Sequence, residues 1–120
     1  MADEISPKEL QERRLKKEDK YIIIDVRESD EIAVKGIDVK DSKIFGAINI
    51  PIGRLLRDSR NGDLDDLRQI TIYTYSSDGF RGNVAADILN KQGFNAINIQ
   101  GGFFAWNEEE QRIKKEGSSS

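Results

Sequence analysis

The residues best placed to do chemistry lie in one short segment, Ser76-Ser77-Asp78-Gly79-Phe80-Arg81-Gly82. A small-residue loop with two glycines that leads into a helix gathers several backbone N–H groups around one point, and the helix dipole adds partial positive charge there. The expected result is an anion cradle formed by Ser76, Ser77, Asp78, Gly79, Phe80 and Gly82. Arg81 opens a helix, where a cation is disfavoured unless an anion sits nearby, and its guanidinium fork suits an oxyanion. Phe80, at the loop tip, is expected to stand partly exposed as an apolar lip or a partner contact. Asp25 and Arg27 close an apolar run; they read either as an ion pair or helix caps at the strand end, or as residues shaping the pocket beside Ser76.

Composition narrows the chemistry sharply. The 120 residues include no Cys and no His, which removes disulfides, thiolate nucleophiles, thiolate metal sites and the commonest general base at neutral pH. No metal site and no cofactor is expected. A formal net charge of −3 gives no nucleic-acid footprint. Apolar runs such as Ile22-Ile23-Ile24 are too short for a membrane span or a signal peptide, so the expectation is a soluble, cytoplasmic chain with no membrane partner. The length suits one domain, taken as residues 1–116, with Gly117-Ser118-Ser119-Ser120 as a flexible tail.

The elements that would position the loop follow from periodicity. Ser6-Pro7 is a helix start with Ser as N-cap, and Ile5, Leu10 and Leu15 are the residues able to face a core. Tyr21 to Val26 reads as a strand buried on both faces. Ser29 to Val34 suits one or two helical turns stopped by Gly36, followed by loop from Ile37 to Lys43. Ala47 to Pro51 suggests a short strand, Ile52 to Leu56 a helical turn, and Arg57 to Asp66 an exposed turn-rich stretch. Ile70 to Tyr75 is the third strand, with Tyr73 and Tyr75 on one core-facing side. A helix from Asn83 pairs Val84 with Ile88 and Ala85 with Leu89, and Gly93 caps it. Asn95 to Ile99 is the fourth strand; a closing helix from Phe103 to Lys115 places Phe103, Phe104 and Trp106 in the core, while Glu108-Glu109-Glu110 forms a solvated face. Alternating strands and helices predict a three-layer α/β fold around a parallel sheet.

Four segments in order resemble the single-domain rhodanese, or thiosulfate sulfurtransferase-like, family. Asp25-Val26-Arg27-Glu28 resembles its Asp-Val-Arg signature and Gly46-Ala47-Ile48-Asn49-Ile50-Pro51 its Gly-Ala-Ile-Asn-Ile-Pro. Gly101-Gly102-Phe103-Phe104-Ala105-Trp106 resembles its Gly-Gly-x-x-x-Trp ending, and the loop resembles its Cys-x-x-Gly-x-Arg. The resemblance spans residues 5 to 112 and implies a five-stranded, mostly parallel sheet flanked by helices. It implies a small anion such as thiosulfate, or another sulfur donor, as ligand, with a protein partner as the alternative. In the family the loop Cys carries sulfane sulfur as a persulfide; Ser76 matches that position and Arg81 the loop arginine. The serine hydroxyl is far more basic than a thiol and is a poor sulfur carrier, so sulfur transfer is not expected with Ser76. Two readings follow: a non-catalytic anion-binding or regulatory domain, or a sulfurtransferase in which Ser76 replaces the catalytic Cys. A related phosphatase group uses five residues between Cys and Arg; four separate Ser76 from Arg81. The sequence departs from the family at Val39 to Phe45, where Lys43-Ile44-Phe45 replaces a His-Ile-Pro lead.

Overall fold

The computed structural model of the chain describes residues 2–16, 20–32 and 42–118. Five strands form one sheet: β1 (Glu4–Ile5), β2 (Tyr21–Asp25), β3 (Ile48–Asn49), β4 (Thr71–Tyr75) and β5 (Asn95–Ile99). Their order is β1-β5-β4-β2-β3, and every pairing is parallel. The helices are α1 (Pro7–Lys16), α2 (Ser29–Ile32), α3 (Ile52–Asn61), α4 (Phe80–Lys91) and α5 (Gly102–Ser118), with a 3-10 turn at Asp65–Gln69 before β4.

The sequence pattern explains the layering. The central strands alternate across two cores, because successive side chains of a strand point to opposite faces. Ile24, Ile72 and Ala96 face one side and pack with Leu55 of α3 and Ala85, Ala86 and Leu89 of α4. Ile23, Tyr73, Tyr75 and Ile99 face the other, with Leu10 of α1 and Trp106 of α5. The parallel sheet is therefore covered on both faces, as the three-layer expectation requires. At the start of α1, Ser6 Oγ accepts the Glu9 N–H at 3.1 Å, the cap expected of a Ser-Pro start. Among the described residues no helix is long and apolar enough to cross a membrane.

Several boundaries differ from the sequence reading. Glu4–Ile5 is an edge strand, held to β5 by Asn98 N–H to Asp3 O and Gln100 N–H to Ile5 O; two residues are too few for a periodic signal. Arg57 to Asn61 is helix rather than turn, since α3 continues from Ile52 with Leu55 and Ser59 buried and charged side chains on its outer face. Gly62, with φ 84°, ends it in the left-handed conformation that glycine adopts without penalty. The fourth helix begins at Phe80, three residues before Asn83, and the closing helix runs past Lys115 to Ser118. Leu15 is exposed on α1, and Phe104 is exposed rather than core. Tyr73, Tyr75 and Trp106 are buried as expected, and Phe103 is partly buried against them. The first turns after β2 form α2, while the expected stop at Gly36 and most of the Ile37 to Lys43 loop lie outside the described residues.

Candidate functional site

The chain leaves β2 toward β3 on one side and leaves β4 toward β5 on the other. That reversal of direction marks a switch point at the carboxyl ends of β2 and β4, where open parallel sheets form the crevice that binds ligands. Asp25 and Tyr75 are register partners at those ends. The segment after β2 carries Arg27, Glu28 and α2, and the segment after β4 is the Ser76–Gly82 loop.

Asp25 and Arg27 form a buried ion pair. Arg27 Nη2 meets Asp25 Oδ2 at 2.7 Å and donates to Ser42 O at 2.8 Å, and Arg27 Nε donates to Asp25 Oδ1 at 3.0 Å. The guanidinium lies between two rings, 5.5 Å from the centroid of Tyr75 and 5.0 Å from that of Phe103. Burial lowers the Arg27 pKa, yet the hydrogen bond and charge of Asp25 outweigh it and leave the net shift upward. The Asp25 Oδ1 also accepts the Arg27 backbone N–H, so the pair fixes the exit from β2. This is the structural half of the sequence expectation. Tyr75 stands beneath it, fully buried, its hydroxyl oxygen accepting the Ile44 N–H at 3.2 Å; burial, then the Asp25 charge, pushes its phenol well above the usual range. Ile44 fills the interior where the family's lead differs, while Phe45 points out to solvent.

Ser76 is completely buried at the base of the loop. Its Oγ accepts the backbone N–H groups of Gly79 and Gly82, both at 3.1 Å, so part of the expected cradle is turned on the residue at its own centre. Gly82 O in turn accepts Thr74 Oγ1 at 2.8 Å, which ties the first turn of α4 to the sheet. Gly82 can only be glycine here: an added Cβ would lie 2.9 Å from the Tyr75 Cα and run into Asn98 Oδ1. Asn98 donates from Nδ2 to Glu4 Oε2 at 2.7 Å and to Gly79 O at 3.2 Å. At the exposed side of the loop Asp78 Oδ1 takes the Phe80 N–H at 3.0 Å, and Phe80 is 73% exposed. Phe80 is thus exposed, as its loop-tip position predicts.

A second helix docks on the same loop. Phe103 and Phe104 N–H at the start of α5 donate to Ser76 O at 2.8 Å and Ser77 O at 3.1 Å. Gly102 makes this approach possible, because a Cβ there would sit 2.7 Å from Gly79 N and 2.8 Å from Ser77 O. Gly101-Gly102 is therefore a support of the loop as well as the connection from β5 to α5.

Arg81 does not face an open cradle. It pairs with Glu31 of α2 through two parallel contacts, Nη1 to Oε1 at 2.5 Å and Nη2 to Oε2 at 2.7 Å. Glu31 Oε1 also accepts the Glu28 N–H at 2.9 Å, the reach-back of a third-position helix residue to its cap. The Arg81 hydrogen bond, then the Glu28 N–H, holds the Glu31 carboxyl down at about 2; the same pair raises Arg81. Sequence reasoning missed Glu31, Thr74, Asn98 and the contribution of Gly102. The spacing of Glu28 and Glu31 hints at the cap, but nothing local joins Glu31 to a residue fifty positions on. Among the described residues no group of three or more His, Cys, Asp or Glu is placed to hold a metal ion.

Comparison with known proteins agrees with this fold. The rhodanese-related protein of Thermoplasma volcanium shares 26% identity over 89% of this chain and 92% of its own, with a TM-score of 0.67. The reduced CoADR-RHD of Bacillus anthracis shares 30% identity over 88% of this chain, which spans 16% of that longer protein, with a TM-score of 0.65. A Rhodopseudomonas palustris protein described as a possible tyrosine phosphatase superposes with a TM-score of 0.74 at 20% identity over 91% of this chain and 82% of its own, a likeness of fold alone. No curated protein sequence matches the chain significantly. The family model for the rhodanese-like domain matches residues 6–109, and with the parallel five-stranded sheet and the loop after β4 it establishes that the chain belongs to the rhodanese-like domain family.

Proposed function

We propose that this rhodanese-like domain binds a small oxyanion, such as thiosulfate, at the Ser76–Gly82 loop and acts as a binding or regulatory module without carrying sulfur. The observation that supports the reading best is the state of Ser76. Its Oγ is buried and accepts the Gly79 and Gly82 N–H groups at 3.1 Å; both partners are donors, so neither can take the hydroxyl proton. A nucleophilic serine needs an adjacent base, and the chain has no His. Arg81, at the loop's outer rim, and the positive end of the α4 dipole supply the attraction for the anion.

The same hydrogen bonds favour one other reading, a sulfurtransferase with its Cys replaced. Backbone N–H groups that point at the side chain of residue 76 would stabilise a thiolate there and lower its pKa. That thiolate would attack the outer sulfur of thiosulfate; the S–S bond breaks, sulfite leaves with the electron pair, and a persulfide forms. Cyanide then takes the outer sulfur as thiocyanate and restores the thiolate. Assaying thiocyanate formation from thiosulfate and cyanide on the parent protein and on Ser76→Cys tests both readings. Turnover by the variant alone is expected. A folded Ser76→Cys protein with no turnover would remove the sulfurtransferase reading, and turnover by the parent would overturn the assignment of Ser76 as a chemical block. Calorimetric titration of the parent with thiosulfate reads the anion binding itself.

A further inference from the structure

The fork of Arg81 is already filled. Both terminal nitrogens lie on the two oxygens of the Glu31 carboxylate, at 2.5 and 2.7 Å, in the bidentate arrangement that Arg also uses for sulfonate-like and phosphate-like groups. Glu31 is held in place by its own helix turn, since Oε1 accepts the Glu28 N–H. The contact bridges the two sides of the crevice: Glu31 follows β2, Arg81 follows β4, and these strands are neighbours. Each side chain is about one-third exposed, so solvent reaches the pair and an incoming anion can compete for it.

We propose that Glu31 is an internal competitor for the oxyanion site, and that an anion reaches Arg81 by displacing this carboxylate. The inference rests on the anion-binding reading above and deepens it. The ligands it favours are oxyanions with two terminal oxygens able to span the guanidinium fork as the carboxylate does. A ligand presenting a single acceptor cannot replace both contacts and is disfavoured. Glu31 therefore sets affinity and selectivity, while Arg81 supplies the attraction.

Isothermal titration with thiosulfate on four proteins tests the proposal: the parent, Glu31→Gln, Asp30→Asn, and Glu31→Gln combined with Arg81→Gln. Glutamine keeps an oxygen for the Glu28 N–H and loses the charge that holds Arg81. The expected gain in thiosulfate affinity for Glu31→Gln is about fivefold, the scale of a partly exposed ion pair. Asp30→Asn removes the same charge from the same helix and should gain less than about twofold, as expected of a charge outside the contact. The double variant should lose the gain. Equal affinity in the parent and Glu31→Gln, with measurable binding in both, would overturn the competitor while leaving the anion site standing. An equal gain in Asp30→Asn would also overturn it, since long-range charge would then be the cause. Binding in neither the parent nor Glu31→Gln would remove the anion-binding reading and this inference together.

Discussion

Two ion pairs flank the crevice, and they differ by burial. Asp25 and Arg27 are almost inaccessible, at 1% and 4% exposure, and each satisfies the other's charge. Removing one partner strands the second charge in a low-dielectric site, a cost of about 3–5 kcal/mol. Asp25→Ala should therefore lower stability to urea by about that amount, whereas an unchanged midpoint would mean that the Arg27 charge finds water. Glu31 and Arg81 are partly exposed, so their pair contributes less than about 1 kcal/mol. Its pH dependence has a definite sign. The carboxyl falls from an ordinary 4.5 to about 2 in the folded protein, so the pair's contribution is complete above pH 4.5 and fades as pH drops toward about 2. Stability curves of the parent and Glu31→Gln, measured from pH 6 to 2, should converge at the acid end; parallel curves would show that the pair does not form in solution. Sequence reading found Arg81 but not its partner, because capture of a charge by a residue on another crossover is a property of the folded crevice and has no local pattern.

At the scale of elements, the loop is held by three of them: β4 below, α4 beginning at Phe80, and α5 capped onto its carbonyls. The α5 contact depends on Gly102, whose φ is 63° and whose missing Cβ leaves room for Gly79 N and Ser77 O. Gly102→Ala combines left-handed strain with overpacking, together about 2–4 kcal/mol. A loss below 1 kcal/mol by urea unfolding would show that α5 can move off the loop. The strand-helix alternation, the two buried central strands and the core of α4 were legible because their periodicity is strong. α3 was not, since Arg54, Arg57 and Arg60 on its outer face mask the inward spacing of Ile52, Leu55 and Ser59, and the Asn61-Gly62-Asp63 run has the composition of a turn although Gly62 is the helix stop. β1 was not, because its pairing with β5 joins residues more than ninety positions apart. For the site, the loop's place between β4 and α4 was legible from its small residues and glycines, but the way Ser76 takes two backbone N–H donors was not, since that follows from how deeply β4 delivers the residue.

Across the whole molecule, the sheet is the shared wall of two cores. Each central strand contributes to both, with Ile72 on one face and Tyr73 on the other, so loss of one core removes support from the strands that build the second. Small domains in which such elements are shared unfold as one unit. The chain has a single tryptophan, Trp106, and it lies in the α1–α5 core, opposite Leu89 of α4. This placement makes fluorescence a report from one face on damage made to the other. Leu89→Ala should cost about 2–5 kcal/mol through lost burial and the cavity left behind, and the Trp106 signal and far-UV circular dichroism should shift together to the same lower urea midpoint. If Trp106 kept its parent midpoint while the dichroism fell, the two layers would be separate cooperative units. The crevice would then be a joint between them, because Arg27 packs against Phe103 of one layer and Ser76 accepts hydrogen bonds from the first turn of α4 in the other.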